Sequence, residues 1–72
     1  MKIEMTSVIS SNIARIGYAD KIQVLRVEFK HGKTYDYHSV PKTLFNELMA
    51  SPSKGKFLNS NVIGKYTHEK VL

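Results

Sequence analysis

From Leu25 to Lys30 apolar and charged side chains alternate without a break, Leu25, Val27 and Phe29 against Arg26, Glu28 and Lys30. Successive side chains of a strand point to opposite faces, so this run commits the chain to a β-strand with one dry face and one wet one. His31-Gly32 follows. Gly accepts positive φ freely and His tolerates it better than most side chains, so the chain turns there. Thr34 to His38 then returns as a further strand. Upstream, Ile13, Ile16 and Tyr18 predict a strand over residues 12–18, closed by the turn chemistry of Gly17-Tyr18-Ala19-Asp20. Met1 to Thr6 is a lead-in that either frays or pairs as an edge.

The second half changes period. Pro41 suits the start of a helix, because its missing N–H costs nothing in the first turn. Leu44, Phe45, Leu48 and Met49 then form one apolar stripe of a helix ending near Ala50. Ser51-Pro52-Ser53 breaks it, and Ser53 is a good N-cap for a second helix carrying Phe57, Leu58 and Val62. Gly64 stops that helix and Tyr66 to Leu72 forms a tail. The expected architecture is α+β: a three-stranded antiparallel β-meander followed by two short helices packed on the sheet. It forms a single domain over residues 1–72, with its core at about 8–66 and short tails at both ends.

With 72 residues there is room for one core, which at this size supplies only about 3–5 kcal/mol, so small domains commonly carry a staple. The absence of cysteine excludes disulfides and thiolate zinc sites. His31, His38 and His68 have no second-ligand spacing, so no metal site is expected. What remains is a self-sufficient fold or burial against a second copy, which makes a homo-oligomer a standing expectation. Met1-Lys2-Ile3-Glu4-Met5 holds no apolar run of signal-peptide length, and no stretch approaches the roughly 18 apolar residues of a membrane span. The chain reads as cytoplasmic, with no membrane partner.

Tyr35-Asp36-Tyr37 puts two rings on one face of the third strand, and the turn decides which. A two-residue loop, His31-Gly32, pairs Tyr35 with Glu28 and Tyr37 with Arg26, leaving both rings on the charged face as a stacking platform. A three-residue loop, Lys30-His31-Gly32 with Gly32 in a bulge, pairs Tyr35 with Val27 and Tyr37 with Leu25. The second register separates apolar from polar more cleanly and is preferred on that ground. The tyrosines are then core residues whose hydroxyls reach a wet rim.

Between Leu48 and His68 lie Lys54, Lys56 and Lys65 and no carboxylate. Two of these lysines fall in the first turn of the second helix, the wrong sign for the helix dipole. A bound anion reverses that argument, since N-terminal amides and lysines together make a phosphate site. Lys56, Asn59 and Ser60 share a helix face opposite Phe57, Leu58 and Val62, with Asn59 suited to a base or ribose and Ser60 to phosphate. The bland alternative is a capped helix with solvated lysines. Arg15 joins Lys54, Lys56, Asn59, Ser60 and Lys65 as a candidate phosphate contact, and Tyr35 and Tyr37 are the candidate stacking rings. No base, nucleophile and metal come together as catalysis requires, and there is no Walker loop or GxGxxG, so neither enzymatic activity nor a cofactor is expected.

Taken in order, the landmarks are Val8, Ser10-Ser11-Asn12-Ile13, Ile16-Gly17-Tyr18, Leu25-x-Val27-x-Phe29 and Gly32. They continue through Tyr35-Asp36-Tyr37, Val40-Pro41, Leu48, Ser53-x-Gly55-Lys56-Phe57-x-Asn59 and Tyr66. This series resembles the KTSC domain, a short family named after a C-terminal extension of some lysyl-tRNA synthetases. The resemblance covers about Val8 to Tyr66. It implies likeness to small stand-alone bacterial and phage proteins, and RNA binding by association with a synthetase. Leu58 stands where a second aromatic is expected and Ile63 where a polar or basic residue is commoner. Ala19 separates Tyr18 from Asp20, where the acid usually follows the tyrosine directly. Together these remove a stacking ring and a positive charge, which weighs against an extended RNA site in this copy.

Three functions follow as expectations. The first is a non-enzymatic basic module for a phosphate-bearing nucleotide-type ligand, chiefly single-stranded RNA or other nucleic acid. The net charge of +5 and aromatics close to lysines support it, and its binding must weaken steeply with salt. The second is a homo-oligomeric sponge of the phage immune-evasion type, sequestering a small signalling nucleotide at a subunit interface with weaker salt dependence. The third is a protein-interaction module, with Ile63, Val71 and Leu72 as a sticky surface.

Overall fold

A computed structural model describes residues 3–71. It carries strands β1 (Met5–Ser7), β2 (Ile13–Ala19), β3 (Val24–Phe29), β4 (Thr34–Tyr37) and β5 (His68–Val71), with helices α1 (Lys42–Ala50) and α2 (Lys54–Asn61) between the last two strands. The strands form one antiparallel sheet in the order β1-β2-β3-β4-β5. Five strands replace the expected three. The lead-in takes the edge option, pairing Met5 with Gly17 and Ser7 with Arg15. The expected tail becomes the opposite edge, pairing Val71 with Thr34 and His68 with Tyr37. Both strands are largely exposed, so they carry no apolar alternation, and the backbone ladder alone defines them. Val71 is half-buried there, while Leu72, expected beside it in a sticky surface, lies outside the described residues, as do Met1 and Lys2.

The β3–β4 turn has the preferred three-residue form. The Phe29 N–H donates to the Lys33 carbonyl at 2.9 Å, the Gly32 N–H donates to the Phe29 carbonyl at 3.0 Å, and Gly32 sits at φ 102°. Val27 therefore faces Tyr35 and Leu25 faces Tyr37, with Arg26 and Glu28 on the other face. In β2 the register shifts between Ile13 and Arg15. That bulge explains an oddity of the sequence: Ile13 and Ile16 are an odd number of residues apart, yet both are buried, because the extra residue restores the parity.

Both helices cover one face of the sheet. Leu48 of α1, Leu58 of α2 and Val62 just beyond it close over Ile13, Ile16, Leu25, Val27, Phe29, Tyr37 and Val40 in one continuous core. Burying each such side chain contributes about 2 kcal/mol. Pro41 is the residue before the helix, with ψ 149°, rather than its first helical residue. Ser53 occupies the N-cap position of α2, but its side chain makes no capping hydrogen bond. At one end of the sheet Gln23 and Ser39 adopt left-handed φ of 53° and 60°. Completely buried Val40 holds them there: its N–H donates to the Gln23 carbonyl at 2.9 Å, and its carbonyl accepts from Tyr18 Oη at 2.5 Å. The Tyr18 ring stacks on Phe45, with centroids 4.8 Å apart.

Candidate ligand-binding site

A groove of about 580 Å³ opens where the β1–β2 connection meets the start of α2. One wall is Ile9, Ser10, Ser11 and Asn12; the other is Pro52, Ser53, Lys54, Gly55, Lys56, Leu58, Asn59 and Ile63. Ser10 organises the first wall. Its Oγ accepts from the N–H groups of Asn12 (3.4 Å) and Ile13 (3.2 Å) and donates to Asn12 Oδ1 at 3.1 Å. This is the local side-chain-to-backbone turn that serine favours. It engages Asn12 Oδ1, on an exposed side chain that lines the groove.

Glycine is a poor choice inside a helix, costing about 1 kcal/mol relative to alanine. Gly55 sits in the first turn of α2 because the opposite wall is so close: a β-carbon there would meet Asn12 Oδ1. The two lysines of that turn differ. Lys54 is half-buried and its Nζ donates to the Ser51 carbonyl at 2.9 Å, where its charge favours the C-terminal end of α1. Lys56 is exposed and has no ion-pair partner among the described residues. Asn59 is exposed at the groove, and no carboxylate lines it. With Ser53 not capping, the first-turn amides of α2 keep their donors.

Of the candidates, Lys54, Lys56 and Asn59 line the groove and the others do not. Ser60 and Lys65 are exposed but do not line the groove. Arg15 lies on the helix-free face of the sheet, ion-paired with Glu28. That hydrogen bond, reinforced by the opposite charge, pushes the guanidinium above and the carboxyl below their ordinary values. Tyr37 is 4% exposed and belongs to the core, where burial lifts its phenol, with a smaller contribution from Tyr35. Tyr35 is half-buried, edge-on to Phe29 (6.1 Å) and to His68 (5.6 Å). Neither ring reaches the groove. The residues that sequence reasoning missed are Ser10, Ser11 and Asn12. Their signal was a glycine in a helical turn, which asks for a close neighbour.

Among the described residues no three His, Asp or Glu side chains gather to hold a metal, and no helix is long and apolar enough to cross a membrane. Fold and groove together define a small α+β domain with a cationic and polar recess. The chain belongs to the KTSC domain family, whose model matches residues 9–66. It is 36% identical over 61 residues to a lysine–tRNA ligase of Nostoc punctiforme, covering 85% of this chain and 11% of that protein. The chain spans only about a tenth of the length of such ligases. It is 41% identical over 58 residues to a protein of Tsukamurella paurometabola, covering 81% of this chain and 87% of that one. The crystal structure of a KTSC domain protein from Yersinia pestis superposes with a TM-score of 0.93 at 32% identity, covering 99% of this chain and all of that one.

Proposed function

We propose that this chain is a non-enzymatic binding module for a phosphate-bearing, nucleotide-type ligand, and that the ligand is single-stranded nucleic acid, RNA foremost. The observation that carries the reading is the composition of the groove: two lysines, two asparagines, three serines and the first-turn amides of α2, with no carboxylate. Such a set offers charge to phosphate and hydrogen bonds to a ribose hydroxyl. No aromatic side chain lines it, so within the groove the ligand is held by its backbone rather than its bases, and binding there varies little with sequence. The lysine–tRNA ligases that are similar to this chain are proteins that handle RNA by name, which adds to the reading. A cytoplasmic location goes with it.

The test is fluorescence anisotropy with a labelled oligouridylate of about twelve nucleotides, at about 50 and about 200 mM salt. The wild-type chain binds and loses affinity with salt. Lys54→Ala/Lys56→Ala binds at least about tenfold more weakly, with a shallower salt slope. Equal binding by a folded double variant would overturn the groove as the site.

A second reading has one observation in its favour. Ile9 is fully exposed and Ile63 is 41% exposed, both at the groove, where a second copy would cover them. The chain would then be a homo-oligomeric sponge closing over a small phosphorylated nucleotide. Native mass spectrometry of the purified protein separates the two: an oligomer carrying a small phosphorylated molecule supports the sponge, a bare monomer the strand-binding module.

A further inference from the structure

Part of the unpaired positive charge gathers on one turn, while Lys21, Lys65 and Lys70 are exposed elsewhere. Arg15, Arg26 and Lys42 are neutralised by Glu28, Asp36 and Asp20. The β3–β4 turn, in contrast, presents Lys30, His31 and Lys33 to solvent with no ion-pair partner among the described residues. This turn is physically continuous with the groove. The Lys30 N–H donates to the Asn12 carbonyl at 2.9 Å, and Phe29 pairs with Ile13, so the back of the Ser10–Asn12 wall is the turn itself.

The turn also carries an exposed aromatic stack. The His31 ring lies nearly parallel to Phe29, at 15° with centroids 5.4 Å apart, and Phe29 is a core residue. The Lys33 N–H donates to His31 Nδ1 at 3.2 Å, which fixes the ring against rotation. The exposed His31 is thus supported by the core, and the exposed Lys30 and Lys33 share its turn. A flat ring flanked by cations is what a single strand uses when successive bases stack and phosphates are neutralised.

We infer that the β3–β4 turn is the second half of the binding surface: a single-stranded nucleic acid passes from the groove over Asn12, stacks a base on His31 and sets phosphates against Lys30 and Lys33. This rests on the strand-binding reading above and moves the stacking ring from Tyr35 and Tyr37 to His31. A ligand short enough to sit in the groove alone does not reach the turn.

The experiment compares the labelled oligouridylate of about twelve nucleotides with a labelled uridine dinucleotide on the same variants. Lys30→Ala/Lys33→Ala is expected to weaken the long strand about tenfold and to flatten its salt slope by about 1.4, two phosphates at about 0.7 each, leaving the dinucleotide unchanged. His31→Ala weakens the long strand about tenfold, and His31→Phe restores it, because stacking needs a ring and not an imidazole. Circular dichroism confirms that the variants are folded. If Lys30→Ala/Lys33→Ala and His31→Ala bind the long strand as the wild type does while Lys54→Ala/Lys56→Ala does not, the turn is no part of the site and the groove stands alone. If the wild type binds no long strand, the strand-binding reading fails and takes this inference with it.

Discussion

A β-carbon on Gly55 would lie 2.6 Å from Asn12 Oδ1, so the two walls of the groove are set by the one residue that has no side chain. Gly55→Ala gains about 1 kcal/mol of helix propensity and spends it on moving Asn12, an exposed side chain that can swing aside only by leaving Ser10 Oγ. The expected result is a melting temperature near that of the wild type together with weakened oligonucleotide binding. Adding Asn12→Ala to Gly55→Ala raises stability above the single variant, a coupling that a double-mutant cycle reads directly.

Gly17 answers differently. A β-carbon there meets the Glu4 carbonyl oxygen at 2.5 Å, Met5 Sδ at 2.6 Å and Ile3 Cγ2 at 2.8 Å. One of these is backbone, so the chain on β1 must lift from β2. Gly17→Ala is expected to cost about 2 kcal/mol in urea denaturation, the scale of overpacking in a closed site. A variant as stable as the wild type would show that β1 moves freely.

Two ion pairs on the helix-free face invite comparison. Arg26 makes a two-pronged contact with Asp36, 2.7 Å from Nε and 2.9 Å from Nη2, and the side chains are 25% and 12% exposed. Asp36→Ala strands a half-buried guanidinium and is expected to cost about 2 kcal/mol. Glu28→Ala frees an exposed Arg15 and leaves the denaturation midpoint almost where it was. Equal shifts from the two would contradict this ranking.

The pH dependence has opposite signs at its two ends. Burial holds the Tyr37 phenol above its ordinary 10.0, so its contribution is complete below that value and disappears as pH rises through the higher folded one. Tyr37→Phe should match the wild type at neutral pH and lose less stability above pH 10.0. The Glu28 carboxyl, held below 4.5 by its hydrogen bond from Arg15, contributes above 4.5 and loses that contribution as pH falls through the lower folded value. Because the pair is exposed, that contribution is small, and Glu28→Gln should leave the acid limb almost unchanged. Urea midpoints across pH check both.

Where a side chain is half wet and half dry, the sequence is readable, and the β3–β4 hairpin illustrates it. Leu25, Val27 and Phe29 demand that Tyr35 and Tyr37 join them, and Gly32 supplies the turn that allows it. β5 offers no such contrast, because His68, Glu69 and Lys70 are all exposed and no apolar alternation marks the strand. The groove was half legible for a related reason. Lys54, Lys56 and Asn59 sit together in the sequence, whereas Ser10 and Asn12 join them only through tertiary packing. Tyr35 and Tyr37 were ambiguous between platform and core until the loop length decided it. Arg15 looked like a free cation because its partner Glu28 lies on another strand.

The sheet lists its strands in chain order, but its pairings are not equally local. β1 to β4 are joined by short connections and can zip outward from one hairpin. The β4–β5 ladder has to wait, since residues 38–67, with both helices, intervene and must first find their places. The seam between β4 and β5 is therefore the last to close during folding and the first to open in the native state. In hydrogen exchange the amides that bridge it should give up their protons well before those shared by β2 and β3.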